Sequence, residues 1–204
     1  MIRDPATIDL LSPGRLENIP ARWAGARGTA LALADARGEW TWREVEHGRK
    51  HLAELLLTLG IRAGDRVMVV GENCATLVAL LFAISSVHAW VVNVNARLSP
   101  REVDSIRAHC GARRVLYLGD DSPDAKHDAE RIQATRLSLG RWGTISVSAM
   151  DERSTPEPVE GNPARLRLRS TVSAWGPSSA PLRRPRFPSQ APPLPEGRQS
   201  RLPR

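Results

Sequence analysis

Apolar runs and amphipathic stretches alternate over the first 164 residues, which is typical of strands that alternate with helices. Residues 30–41 predict a short strand, a turn and a partner strand. The following stretch places four leucines between positions 52 and 59 at helical spacing, and this predicts an amphipathic helix. Thr41 precedes that helix, and Glu44 stands three residues later. The pair predicts a capping box at the first turn.

The same alternation continues to about residue 150. Strands are predicted at residues 66–70, 90–94, 115–118 and 144–147, and helices at 77–87, 100–110 and 121–139. Asn73 is the predicted N-cap of the first of these helices, and Ser99 followed by Pro100 is the predicted start of the second. Strands that alternate with helices indicate an α/β fold, with a parallel-type sheet covered by flanking helices.

Charge divides the chain into two regions. Residues 165–204 hold nine arginines and one acid, a net charge of +8, whereas residues 1–164 hold 20 basic and 21 acidic side chains, a net charge of −1. Eight of the 16 prolines also lie in residues 165–204. We therefore predict a folded domain over residues 1–164 and a disordered, Arg/Pro-rich tail over residues 165–204.

Cysteine usage and hydropathy suggest a cytoplasmic protein. Two cysteines, Cys74 and Cys110, are too few for a disulfide framework in 204 residues, so a reducing compartment is expected. The first 15 residues carry early charges and no apolar core, so no secretory signal is expected. The longest apolar stretch, residues 74–92, is interrupted by polar side chains and is interpreted as a buried helix and strand rather than a membrane span.

Several side chains have the chemistry of a metal or catalytic site, and each has a structural interpretation that we favour. His47 and His51 lie four residues apart on a predicted helix, but without the acid of a zinc-protease pattern they are interpreted as solvent-facing. His109 and the adjacent Cys110 diverge on a helix, and both cysteines are interpreted as small buried hydrophobes. Trp40 and Trp42 would share one face of an extended segment and pack in the core.

Two further clusters are also given structural interpretations. Ser85, Ser86 and His88 lie on a predicted buried helix without a nucleophile elbow, so catalysis is not expected there. Acidic residues and one histidine gather near a predicted helix start, where the helix dipole alone favours acids: Asp120, Asp121, Asp124, His127 and Asp128. No glycine and no alternating oxygen ligands support a calcium loop at that position.

A succession of motifs is more specific than any of these clusters. It comprises residues 41–45 (TWREV), 60–67 (GIRAGDRV), 71–73 (GEN), 90–103 (WVVNVNARLSPREV) and 109–113 (HCGAR). In this order and spacing, the motifs resemble the N-terminal part of the adenylate-forming ligases, the AMP-dependent synthetase and ligase family that includes acyl-CoA synthetases. The resemblance covers residues 15–164.

The resemblance implies a reaction that this chain does not complete. The family joins a carboxylic acid to AMP from ATP and then transfers the acyl group to coenzyme A, in the context of fatty acid metabolism among others. It uses a TSGTTGxPKG phosphate loop, Mg²⁺ and a lysine of a C-terminal lid. The phosphate loop is expected soon after Ala164, but the sequence continues as RLRLR. We therefore assign no catalytic, cofactor-binding or metal residue, expect no cofactor for this chain alone, and predict a truncated, inactive ligase.

Two questions stay open from sequence. Only Lys50 and Lys126 are lysines among 29 basic residues, a bias typical of GC-rich coding, and such coding read out of frame yields Arg, Pro and Ser. The tail is accordingly interpreted as frameshift-derived. The alternatives are a non-catalytic protein whose tail binds nucleic acid or another anion, and a small-molecule binding domain.

Because this chain lacks the rest of the family's domain, we also predict that its fold is marginally stable. Apolar surface is expected to be exposed on the helix bearing Leu77 or on the strand near Val92.

Overall fold

The computed structural model describes residues 15–158, which form a sheet with helices on both faces. The helices are α1 (Ile19–Arg27), α2 (Trp42–Thr58), α3 (Ala75–Ser86), α4 (Pro100–Cys110) and α5 (Pro123–Arg131). The strands are β1 (Leu31–Asp35), β2 (Gly38–Thr41), β3 (Arg66–Gly71), β4 (Trp90–Asn95), β5 (Arg114–Tyr117), β6 (Thr135–Ser138) and β7 (Thr144–Val147). The predicted tail over residues 165–204 lies outside the described residues.

The main sheet has five strands in the order β4-β3-β5-β7-β6, and β1 and β2 form a separate antiparallel hairpin. Strands β3, β4 and β5 are parallel, which confirms the α/β prediction. The sheet is mixed rather than parallel throughout, because β7 runs antiparallel to both β5 and β6. A tight turn explains the antiparallel pairing of β6 with β7: Leu139 donates its N–H to the carbonyl of Gly143 at 2.8 Å, and so short a connection can join only antiparallel strands.

Local capping starts two of the helices as predicted. The hydroxyl of Thr41 accepts the N–H of Glu44, and the Glu44 carboxylate accepts the N–H of Thr41, so the capping box is present. Ser99 and Glu102 form the same arrangement at α4. The prediction that Asn73 caps α3 was wrong. Cys74 occupies that position, in an extended conformation, and its sulfur accepts the N–H of Leu77 at 3.4 Å.

Alternating residues of β3 divide the core into two layers. Val67 and Val69 face α2 and α3, whereas Met68 and Val70 face the cluster under α4 and α5. All four are fully buried. The sheet therefore contributes side chains to two hydrophobic clusters, one on each face, and the helices on both faces pack against it.

Helix α3 lies inside the first cluster and does not present an apolar face. Leu77, Leu80 and Ile84 are exposed by 4% or less. At these three residues the helix does not expose the predicted apolar surface, because α2 packs along it, whereas Leu81 of the same helix is only half-buried. The alternative location, the strand near Val92, is an edge of the sheet, and Val91 on it is 36% exposed.

The predicted helix over residues 121–139 was too long. Helix α5 ends at Arg131, and Gln133 then adopts a left-handed backbone conformation (φ 55°) that turns the chain. Residues 135–138 then form β6 and pair with β7. The strand forms because pairing with β7 supplies its backbone hydrogen bonds, and this partner lies beyond the reach of a local pattern.

Tryptophans join the elements on the α2 side in two stacked pairs. Trp40 stacks on Trp142 with ring centroids 5.2 Å apart, and Trp42 stacks on Trp23 at 5.4 Å. The prediction that Trp40 and Trp42 share one face was wrong, because β2 ends between them and Trp42 already belongs to α2. Gly48 of α2 makes room for Trp142, since a Cβ at that position would lie only 2.5 Å from the indole.

A buried carboxylate organises the amino-terminal end of β3. Asp65 is completely buried and accepts the N–H of Arg62 at 2.6 Å, and Nε of Arg113 lies 3.2 Å from it. Arg113 also donates to the carbonyl of Gly60 just beyond α2. The GIRAGDRV motif is thus a structural connection that ties the end of α2 to the starts of β3 and β5.

Candidate functional site

The carboxyl ends of β3, β4 and β5 meet at one edge of the sheet, where ligands bind in open α/β folds. A shallow depression of about 320 Å³ lies at the ends of β3 and β4. It is lined by Gly71, Glu72, Asn73, Asn93, Asn95 and Arg97. Arg97 and Glu72 form an ion pair across it, with Nε 3.0 Å from the carboxylate oxygen. The depression offers exposed amides and one neutralised charge pair.

Arg37, in the turn between β1 and β2, joins this edge to the hairpin. Its Nη2 donates to Oγ1 of Thr76 at 2.8 Å and lies 3.0 Å from Oδ2 of Asp121. The Thr76 hydroxyl in turn donates to the carbonyl of Trp142 at 2.6 Å. We call Asp35, Arg37, Thr76 and Asp121 the Arg37 cluster. It connects the β1–β2 turn, the first turn of α3 and the end of β5.

Asp35 occupies the N-terminus of α3 within this cluster. Its carboxylate accepts the N–H of Ala75 at 2.9 Å and the N–H of Arg37 at 2.8 Å. Burial raises the pKa of Asp35, but these hydrogen bonds and the Arg37 charge outweigh burial, so the pKa lies below its ordinary value. The positive end of α3 is thus occupied by a side chain of the protein itself.

Cys74 lies beside the Arg37 cluster and is not poised as a nucleophile. Burial is the main cause that raises the pKa of its thiol to about 11, and the Asp121 carboxylate acts in the same direction. A thiol with so high a pKa is almost entirely protonated near neutral pH. Cys74 and Cys110 are both free, and Cys74 is buried as predicted, whereas Cys110 is only half-buried.

The predicted acidic cluster does not converge on one point. Asp120 pairs with Arg136, Asp121 with Arg37, and Asp128 with Arg131. These three carboxylates are therefore neutralised by three different arginines. Within residues 15–158, no group of three His, Cys, Asp or Glu side chains is arranged to hold a metal ion.

The remaining candidates lie apart from this edge. His47 and His51 are exposed on α2, as predicted. Ser86 donates its hydroxyl to the carbonyl of Ala83, which is a helix-internal bond, and His88 follows α3 with a left-handed backbone (φ 58°). The Arg37 cluster itself escaped sequence analysis, and its only local signal was the turn-like string at residues 35–38.

At this edge of the sheet, the arginines described above are paired with carboxylates. Comparison with known proteins identifies the family to which the chain belongs. The family described as AMP-binding enzyme matches residues 20–188, well over half of the chain. The chain belongs to this family. The resemblance seen in the sequence motifs is thereby confirmed, and the matched range continues past residue 164 into the basic tail.

Similar proteins include a feruloyl-CoA synthase and an acyl-CoA ligase. A feruloyl-CoA synthase of Amycolatopsis sp. is 28% identical over 163 residues, which are 80% of this chain and 32% of that protein. The acyl-CoA ligase SID4 of Ajellomyces capsulatus is 32% identical over 103 residues, which are 50% of this chain and 15% of that protein. The chain thus spans about a third or less of the length of these relatives.

Solved structures agree on the fold. The fatty acyl CoA synthetase of Mycobacterium tuberculosis superposes with a TM-score of 0.53 at 21% identity, over 59% of this chain and 24% of that one. The N-terminal domain of FACL13 from the same organism gives the same TM-score and identity over 30% of its length. Over the matched part, the chain therefore shares the fold of these proteins. Among the described helices, none is both long and apolar enough to cross a membrane.

Proposed function

We propose that this chain is the N-terminal scaffold of a carboxylic acid–CoA ligase that forms AMP. The match of the AMP-binding enzyme family to residues 20–188 carries this proposal. In the proposed reaction, a carboxylic acid and ATP form an acyl-adenylate, and the acyl group then passes to coenzyme A. The names of the relatives, among them a feruloyl-CoA synthase and acyl-CoA ligases, support a carboxylic acid substrate.

We further propose that the chain does not catalyse adenylation by itself. The sequence of 204 residues holds no TSGTTGxPKG loop, and its two lysines, Lys50 and Lys126, lie on α2 and α5. Preorganised donors and charges around the transferring phosphate typically supply about 3–4 kcal/mol each of transition-state stabilisation. The described edge offers arginines that are already paired with carboxylates. ATP, Mg²⁺ and coenzyme A are therefore proposed as cofactors of a full-length enzyme, with no residue of this chain assigned to them.

The test is ATP–pyrophosphate exchange with the purified chain and a panel of aromatic and aliphatic carboxylic acids. A complete member of the family serves as the positive control under the same conditions. We expect no acid-dependent exchange above the blank without protein. Exchange that requires one of the acids would show that the chain adenylates its substrate unaided.

The context of the proposed reaction follows from chemistry and from the relatives. Two free thiols suit a reducing compartment, so we propose a cytoplasmic location. Fatty acid metabolism is the proposed setting, supported by the acyl-CoA ligases among the relatives.

Residues 1–164 are proposed as the partial ligase domain and residues 165–204 as a frameshift-derived tail. The genomic nucleotide sequence tests this: ligase motifs should resume in another frame downstream, and an intact stop codon followed by no such motifs would contradict it.

A second candidate function rests on the +8 charge of residues 165–204. A tail of this charge is proposed to bind nucleic acid or another anion weakly and without specificity, since each neutralised phosphate releases counterions. Gel-shift titrations with duplex DNA at several salt concentrations test it. We expect affinity that falls steeply with salt, and salt-independent binding or none at low salt would exclude this function.

A further inference from the structure

The segment that follows β7 crosses the amino-terminal ends of the parallel strands, and we call its residues 151–158 the strap. The N–H of Asp151 donates to the carbonyl of Arg113 at 2.9 Å. The hydroxyl of Ser154 donates to the carbonyl of Gly111, the C-cap of α4, also at 2.9 Å. The first half of the strap is therefore attached to the short connection between α4 and β5.

The second half of the strap is attached at the start of β3. Glu157 donates its N–H to the carbonyl of Gly64 at 2.9 Å, and its carboxylate forms an ion pair with the guanidinium of Arg66. Pro156 and Pro158 flank Glu157. Because proline fixes its own φ, this half of the strap has little conformational freedom to lose when it binds the sheet.

Gly64, a glycine of the GIRAGDRV motif, is the position that admits the strap. Its φ of 85° favours glycine. A Cβ at this position would overlap the carbonyl oxygen of Glu157 and lie 3.0 Å from its backbone nitrogen. These are backbone atoms of the strap, which cannot turn aside as the end of a flexible side chain can. Any larger residue at position 64 must therefore displace the strap.

The strap is held by these few polar contacts rather than by burial. None of its residues belongs to either hydrophobic cluster of the described chain. The side chains of the ion pair, Arg66 and Glu157, are themselves 26% and 40% exposed. An open cavity of about 610 Å³ lies between the strap, Arg66 and Gly111. Segments with few buried apolar contacts open at a lower free energy than the core. Five of the eight residues of the strap are exposed: Glu152, Arg153, Thr155, Pro156 and Pro158.

We propose that the strap is a clasp that opens and closes as one unit on the amino-terminal edge of the sheet, and that Gly64 is the residue that allows it to close. When the strap opens, Arg66 loses the Glu157 carboxylate and the carbonyls of Gly64, Gly111 and Arg113 become accessible to water. Both hydrophobic clusters stay packed, because the strap contributes to neither. This conformational device goes beyond the proposed ligase scaffold and rests on no catalytic step.

Amide hydrogen exchange, measured by NMR on the full chain, tests the proposal. The N–H groups of Asp151 and Glu157 report on the two halves of the strap, and the N–H of Leu118, which donates to the carbonyl of Val70, reports on the sheet. In the unaltered chain, the two strap groups should be protected to a similar extent and about tenfold or more below Leu118.

Gly64→Ala should lower the protection of both strap groups by about tenfold or more relative to Leu118. Gly140→Ala is the matched control, because Gly140 also has a positive φ (59°) but no atom lies within 4 Å of the position its Cβ would take. Backbone strain alone should therefore leave the ratio between the strap groups and Leu118 unchanged in this control.

A second variant tests the strap as a unit and does not depend on Gly64. Ser154→Ala removes the hydrogen bond to Gly111, and the N–H of Glu157 at the far end of the strap should then lose about threefold or more of its protection. Leu118 should stay protected in this variant.

Each other outcome counts against the proposal. Equal protection of the strap groups and Leu118 in the unaltered chain would show that the strap opens only when the whole domain unfolds. Unchanged strap protection in Gly64→Ala, or an equal loss in Gly140→Ala, would show that Gly64 has no particular role in closing. Unchanged protection of Glu157 in Ser154→Ala would show that the two halves of the strap open independently.

Discussion

Gly48 in the middle of α2 leads to a test in which helix propensity and tertiary packing oppose each other. In an exposed helix, alanine is favoured over glycine by about 1 kcal/mol. At Gly48, however, a Cβ would lie 2.5–2.6 Å from Cε2, Cζ2 and Nε1 of Trp142. Favourable carbon contacts lie at about 3.5–4.0 Å, so the indole must move by about 1 Å. Trp142 is 7% exposed and stacked on Trp40, which leaves it little space.

The two effects can be compared in magnitude. Overpacking of a core costs about 1–3 kcal/mol, and three close ring atoms place Gly48→Ala at the upper end of that range. After the gain of about 1 kcal/mol in helix propensity, the net loss in unfolding free energy is about 2 kcal/mol. With a urea m-value of about 2 kcal/mol/M, the midpoint should fall by about 1 M.

Gly25 of α1 provides the matched control, because no atom lies within 4 Å of the position its Cβ would take. Gly25→Ala should raise the unfolding free energy by up to about 1 kcal/mol. Urea titrations followed by circular dichroism at the helix band measure both variants. In a double-mutant cycle, Trp142→Leu should cost less in the Gly48→Ala background than in the unaltered chain. An unchanged or higher midpoint for Gly48→Ala would refute the reasoning.

Three further expectations follow from the described contacts. Thr41→Ala removes one half of the capping box of α2 and should lower the unfolding free energy by about 1 kcal/mol in urea titrations, and an unchanged midpoint would argue against it. Because burial raises the pKa of Cys74 to about 11, iodoacetamide at pH 8 should label it far more slowly in the native chain than in urea, and equal rates by mass spectrometry would contradict this. The pKa values of Asp35 and Glu44 are lowered in the folded state, from ordinary values of 3.8 and 4.5. Their stabilising contribution is therefore complete above those values and lost as the pH falls through the lower folded-state pKa values. Acid titration of unfolding should be less steep for Asp35→Asn, and an identical slope would show that Asp35 contributes nothing.

Much of the fold was predictable because its determinants are local. The starts of α2 and α4 depend on Thr41 with Glu44 and on Ser99 with Glu102, each pair three residues apart. The strands of β3 and β5 are continuous apolar runs, as expected for strands buried on both faces. The order of these motifs was also enough to indicate the family.

Errors arose where a distant partner decides the structure. Residues 135–138 form a strand because β7 supplies their hydrogen bonds, although the preceding residues continue a helical pattern. The N-cap of α3 is Cys74 rather than Asn73, since Asp35 from the hairpin already accepts the N–H of Ala75 and fixes how that turn begins. Neither partner is within one helical turn in sequence, so periodicity and capping rules could not identify it.

The sequence by itself determined the alternation of elements, the caps of α2 and α4, and the family, because turns, these caps and amphipathic faces are set by residues a few positions apart. Only the tertiary structure decided which charges neutralise each other at the carboxyl edge: Arg37 meets Thr76 and Asp121, which are 39 and 84 positions away. Within residues 15–158, it also decided that α2 packs against α3 and that β4 lies at an edge of the sheet. These properties depend on long-range packing, in which the energy of a contact is gained only after the chain between its partners has been brought together.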